Sequence, residues 1–175
     1  MPGFKKLFKQ KQEILRSRPE KTRVEVTVKS DLVEAFRSHV QVRDFEVIVD
    51  QPSNMESTDA GPRPSEYVLA ALAACHEVTY RLYADAMDIH LASVSVSCTG
   101  VSDASGFFSL DEETPAGFSE IYGTISIVSD ASDSDIERLQ QAVNRHCPVL
   151  DDLRRPVSVD LKIERSADVD SRMKS

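Results

Sequence analysis

Apolar side chains return at every second position in three early stretches. Val24, Val26 and Val28 form the first, Phe36, Ser38, Val40 and Val42 the second, and Phe45, Val47 and Val49 the third. A period of two marks half-buried strands. Ahead of them, residues 4–17 read as a helix closed by Pro19. Residues 51–63, QPSNMESTDAGPR, are rich in turn formers and read as a loop. The period then changes. Val68, Ala71, Leu72, Cys75, Val78, Thr79, Leu82 and Ala86 recur at helical spacing behind Pro64, a residue suited to the first helical position because its missing N–H is no loss there. A helix over 64–87 would be about 36 Å long. Its first half, VLAALAAC, is apolar on nearly every side, which marks a buried helix. Its alanines leave room for a second backbone, such as the same helix of another copy.

Further along, Val94, Val96 and Cys98 predict a strand over 93–99, and Ile121, Ile125 and Ile127 another over 121–127, across a polar loop at 102–117. Ser134-Asp-Ile-Glu137 has the form of a capping box. Ile136, Leu139 and Val143 follow at helical spacing until Pro148 stops the helix, and Val157, Val159, Leu161 and Ile163 alternate as a last strand. Strands come in runs and not in βαβ alternation, so the class is α+β with mainly antiparallel sheets around a long buried central helix. Three segments are expected: a basic extension at 1–22, one domain at 23–165 and a polar tail at 166–175.

The 175 residues are 41% hydrophobic, enough for a core without disulfide or metal staples. No apolar run reaches the ~20 residues that span a bilayer, so stable membrane insertion is not expected. Met1–Phe8 leads into no apolar stretch, so no secretory signal is expected, and the cytoplasm is the expected compartment. A net charge of −8 disfavours nucleic acid. That charge is uneven: residues 1–23 carry eight basic side chains against two acidic ones. A membrane-surface helix is one reading; a terminal helix docked on an acidic body is the other, favoured by the small apolar face of Phe4, Leu7, Phe8, Ile14 and Leu15.

Chemistry can sit on the cysteines. Cys98 lies on the apolar side of its strand and reads as a core residue. Cys75 lies on the apolar stripe of the central helix, beside His76; it reads either as an inert buried thiol or as a nucleophile. Cys147 shares the inward stripe of its own helix and precedes the helix-ending proline. The negative end of that helix would raise its pKa and make it a poor attacker, better suited to resolving an intermediate formed elsewhere. The two lie 72 residues apart, so a bond between them would be a tertiary contact. A thiolate that attacks an O–O bond becomes a sulfenic acid, and a second thiol condenses with it to a disulfide.

Three stretches, GPRPSEYVLAALAACHEVTYRLYADAMDI, VSVSC and NRHCPVLDDLRRPVSVDL, resemble the OsmC/Ohr family of thiol-dependent hydroperoxide reductases, in its OsmC-like branch, from about Arg37 to Ile163. The resemblance implies an intertwined homodimer whose central helices cross and whose subunits build each site together. It implies that Cys75 is the peroxidatic and Cys147 the resolving cysteine, that organic hydroperoxides are the substrate, and that an external dithiol is the reductant. It places the thiolate-activating arginine at Arg37, with Arg43 and Arg23 behind it. Family peroxidases carry a glutamate directly after the helix-opening proline; here Ser65 stands there and Glu66 follows. Nine residues of regular helix put Glu66 opposite Cys75, so its ability to orient the arginine competes with a plain role as a first-turn carboxylate. Relatives also carry an acidic residue before Pro52 and a glycine pair soon after, where this chain has Gln51 and Glu56-Ser57.

Other readings are weaker. His76 and His146 flank the two cysteines, but adjacent helical residues point about 100° apart, which disfavours one metal ion on Cys75 and His76. A hydrolase using Cys75 with His146 or His39 lacks a glycine-rich oxyanion turn. Neither a phosphate loop nor a dinucleotide fingerprint is present, and no cofactor is expected. The same fold kept as a small-molecule binding module, or as a redox sensor, is the alternative to a peroxidase.

Overall fold

A computed structural model describes residues 3–165. Helix α1 (Lys5–Ser17) is followed by a three-stranded antiparallel meander, β1 (Val28–Glu34), β2 (Arg37–Val42) and β3 (Phe45–Val49). The long helix α2 (Pro64–Ala86) comes next. Strands β4 (Ser93–Ser102) and β5 (Phe118–Val128) form a second antiparallel sheet, with one helical turn, α3 (Ala104–Phe107), between them. Helices α4 (Asp133–His146) and α5 (Pro148–Arg154) are the last elements among the described residues. The class is α+β, as the periodicities predict.

Helix α2 is the hub. Strand β4, α4, α1 and α5 all pack on it. The core gathers Tyr80 and Ala84 of α2, Ile89 and Leu91 of the following turn, and Leu139, Val143 and Cys147. Gly123 of β5 faces Cys98 of β4; a Cβ there would come within 2.1 Å of the Ser97 carbonyl oxygen, so the strand pair closes only over glycine. Helix α1 docks on α2 through the Phe8 ring, edge-on to Tyr83 at 5.4 Å, the Phe4 N–H donated to Asp85 at 2.6 Å, and the Lys5–Asp88 ion pair. No helix among the described residues is long and apolar enough to cross a membrane.

Four local expectations change. The first strand begins at Val28, not Val24. Val28 pairs with Val42, and the next residues of the neighbouring strand, Arg43 (φ 55°) and Asp44, turn away and leave Val24 and Val26 without a partner. The cap of α4 is Ser132, whose hydroxyl accepts the Asp135 N–H at 3.2 Å, two residues before the expected Ser134. Pro148 ends α4 but also opens α5, since its missing N–H suits a first helical position. Residues 157–163 form no strand: they run free of hydrogen-bonded neighbours within one chain, with Leu161 and Ile163 87% and 91% exposed. The expected tail at 166–175 lies outside the described residues.

Candidate active site

The helical phase of α2 turns Cys75 inward, half-buried, against the core cluster. Four residues on, the Thr79 hydroxyl donates to the Cys75 carbonyl at 2.7 Å. Cys147 arrives from the other side. It caps the C-terminus of α4 and the N-terminus of α5 at once, with extended backbone (φ −75°, ψ 112°), and is fully buried. The Nδ1 of His76 lies 3.3 Å from its sulfur, and the Leu150 N–H, the Thr79 hydroxyl and the Cys75 thiol stand close enough to act on its protonation. Burial pushes the Cys147 thiol up. The Leu150 amide pulls the other way, and Cys75 raises it further. Two free thiols from opposite halves of the chain thus stand as neighbours.

Cys147 sits differently from the sequence expectation in one respect. Besides the negative end of α4, the residue caps the positive end of α5, and the Leu150 amide favours its thiolate. Its thiol is raised all the same, with burial as the main cause. Sequence reasoning also missed the partnership of His76. It weighs His76 only as a metal ligand with the cysteines and His146, whereas its ring reaches Cys147 as a hydrogen-bond partner. Burial lowers the His76 pKa; the Leu72 carbonyl opposes this, and the charge on Arg154 adds to it, so the ring is neutral near pH 7. His146, next to Cys147 in the chain, instead stacks on Tyr83, centroids 5.1 Å apart and planes within 6°.

The expected activating arginine lies elsewhere. Arg37, on β2, pairs with Glu34 of the same hairpin and leaves its Nε buried without a partner. Glu66 holds Arg63 and not Arg37: its carboxylate accepts the Arg63 N–H at 2.8 Å and its guanidinium at 2.8 and 3.2 Å, closing a capping box. These bonds keep Glu66 below the usual carboxylate range. Cys98 borders a cavity of about 130 Å³ shared with Leu72, His76 and Leu150, and burial raises its thiol.

A larger cleft of about 520 Å³ opens at the N-terminal end of α2, lined by Met55, Arg63, Ser65, Val68, Phe107 and Phe118 among others. One wall is the 51–63 loop, held by a buried carboxylate that sequence reasoning did not single out. Asp50 accepts bonds from the Ser57 hydroxyl, the Thr58 hydroxyl at 2.7 Å, and the Gln51 and Ala60 N–H groups at 2.8 and 2.9 Å. With the Ser57 bond foremost, these hold its pKa far below the ordinary range. In the same loop Glu56 adopts φ 57°, where a glycine would be unstrained.

Residues 56–162 match the family model described as OsmC-like protein. The chain belongs to the OsmC family. The OsmC segment takes in α2, Glu66 and both cysteines; α1 and Arg37 on the first sheet precede it. Among solved structures, an OsmC-like protein from Mycoplasma pneumoniae is 23% identical, with 75% of this chain and 88% of that one covered and a TM-score of 0.66. An organic hydroperoxide resistance protein from Elizabethkingia anophelis is 16% identical, with coverages of 78% and 92% and a TM-score of 0.59. An organic hydroperoxide resistance protein OsmC from Legionella pneumophila is 19% identical, with coverages of 75% and 90% and a TM-score of 0.52. At these identities the likeness speaks to the OsmC fold. No curated protein sequence matches the chain.

Proposed function

We propose that this OsmC protein is a cytoplasmic thiol-dependent peroxidase that protects against organic hydroperoxides by reducing them to alcohols. The observation that carries the reading is the meeting of Cys75 and Cys147 in a buried pocket. Cys75, the more accessible of the two, attacks the peroxide as thiolate; the O–O bond breaks, the alcohol leaves with one proton, and a sulfenic acid remains. Cys147 condenses with it, water leaves, and a disulfide forms. An external dithiol restores both thiols. The organic hydroperoxide resistance proteins among its structural neighbours support the substrate class.

A thiolate at Cys75 needs a nearby cation. In this reading Arg37 supplies it, carried to the site on the β1–β3 sheet of a second copy. Within one chain that sheet leaves apolar residues exposed, among them Leu32 and Phe45 at 69% and 60%. Glu66 acts as an arginine-orienting carboxylate, and the arginine it holds within the chain is Arg63. The reading is tested by following consumption of tert-butyl hydroperoxide with a dithiol donor. The wild type consumes it in many turnovers, and Cys75→Ser does not rise above the uncatalysed rate. Turnover by Cys75→Ser equal to that of the wild type would overturn the proposal.

One observation favours a second reading, a carrier of small apolar molecules: the 520 Å³ cleft has mostly apolar walls, with Met55, Val68, Phe107, Phe108 and Phe118, and contains neither cysteine. A carrier would bind an apolar fluorescent probe equally well in wild type and Cys75→Ser and would leave peroxide untouched.

A further inference from the structure

The disulfide step demands that Cys147 lose a proton where no water reaches it. Its side chain is fully buried and burial favours the neutral thiol. Of the groups close to the sulfur, the Leu150 amide can only donate. The Thr79 hydroxyl is committed to the Cys75 carbonyl at 2.7 Å and is far too weak a base to keep a proton. Cys75 is itself the sulfenic acid under attack, which leaves the imidazole of His76, 7% exposed, with Nδ1 3.3 Å from the sulfur.

We propose that His76 is the proton carrier of disulfide closure, taking the Cys147 proton on Nδ1 as that sulfur attacks the Cys75 sulfenic acid. The inference rests on the peroxidase reading. The step balances without a further reactant. The Cys147 S–H bond breaks and its proton moves to Nδ1. The new S–S bond forms as the S–O bond of Cys75 breaks. Hydroxide departs and takes the proton back from the ring as water. The step uses the neutral tautomer that carries its hydrogen on Nε2 and so receives at Nδ1, and the Leu72 carbonyl, which favours the protonated ring, steadies the transient cation. During reduction by a dithiol the path reverses: the proton lost by the attacking thiol passes through Nδ1 of His76 to the departing Cys147 thiolate. The first chemical step, on Cys75, does not involve the ring, because neighbouring helical residues diverge by about 100°.

This division yields a test. Wild type, His76→Phe and His76→Asn are each given one equivalent of alkyl hydroperoxide and quenched at intervals. Cys75 sulfenic acid is trapped with dimedone and the disulfide is counted as loss of the second thiol. Circular dichroism confirms that each variant is folded. Both variants should form sulfenic acid at the wild-type rate and close the disulfide at least about tenfold more slowly, given that a positioned acid–base group contributes ~10²–10⁴-fold. Asparagine offers a hydrogen bond in place of Nδ1 but cannot hold the proton, so it separates proton transfer from mere positioning. Closure at the wild-type rate in His76→Asn overturns the inference while leaving the peroxidase reading in place. A wild type that forms no sulfenic acid defeats both.

Discussion

At the scale of single residues, the site is a set of buried groups whose protonation is set by their neighbours. Cys147 is held as a thiol by burial, and so is suited to wait for an intermediate and not to create one. Replacing it with serine should leave the first oxidation of Cys75 intact but strand the sulfenic acid. Intact-mass measurements under excess peroxide should then show growth to the sulfinic and sulfonic forms, where the wild type stops at a mass loss of two hydrogens. Asp50 carries the opposite electrostatic signature. Its folded pKa lies below the ordinary value of 3.8 because Ser57 and three other donors favour the carboxylate. The stability it contributes is therefore complete above about pH 4 and is lost as the pH falls toward the folded value. Chemical denaturation of Asp50→Asn should show lower stability than wild type at pH 7 and a gap that narrows toward pH 3. A gap that widens on acidification would contradict this account. Neither Asp50 nor the reach of His76 to Cys147 could be read in the sequence. Both depend on contacts fixed by tertiary packing, whereas the inward phase of Cys75 follows from helical spacing alone.

At the scale of elements, periodicity was a good guide wherever an element finds its partner inside one chain. Helix α2 begins at Pro64 and ends at Ala86, one residue short of its expected end; Leu72, Thr79, Tyr80 and Ala84 are buried, but Val68, Ala71 and Val78 of the expected stripe are exposed, so the all-round burial expected of its first half is not met within one chain. Strands β4 and β5 run longer than expected, since they pair along their whole length. Alternation failed at Val24, Val26 and 157–163, where the pattern is present but no neighbouring edge accepts it. A period of two reports which side chains want burial, not which backbone will pair. Helix α4 matters to the chemistry because it delivers Cys147, and Leu139, fully buried against α2, anchors it. Leu139→Ala should cost about 2–5 kcal/mol of unfolding free energy in a denaturant titration. It should also slow disulfide closure more than the first oxidation, since the cavity loosens the helix that carries the second sulfur. A loss below about 1 kcal/mol would mean that α4 is not packed as described.

At the scale of the whole molecule, one chain looks unfinished. The β1–β3 sheet is tied to the rest by few contacts, such as the Tyr67 hydroxyl donated to the Ile48 carbonyl at 2.8 Å, and Val159, Leu161 and Ile163 stand in solvent. Apolar surface of this extent marks an interaction site, and a second copy is the occupant the family resemblance implies. Light scattering coupled to size exclusion should give twice the chain mass of 19.5 kDa. Truncation before residue 157 should shift the species toward monomer; a wild type that elutes as a monomer would leave Arg37 without a route to Cys75. The most direct test of the central claim is peptide mass mapping after one equivalent of organic hydroperoxide, without reductant. The account predicts a single cross-linked species joining the Cys75 and Cys147 peptides, with Cys98 still alkylatable. Oxidation that leaves Cys75 and Cys147 unlinked, or that links either to Cys98, would contradict it.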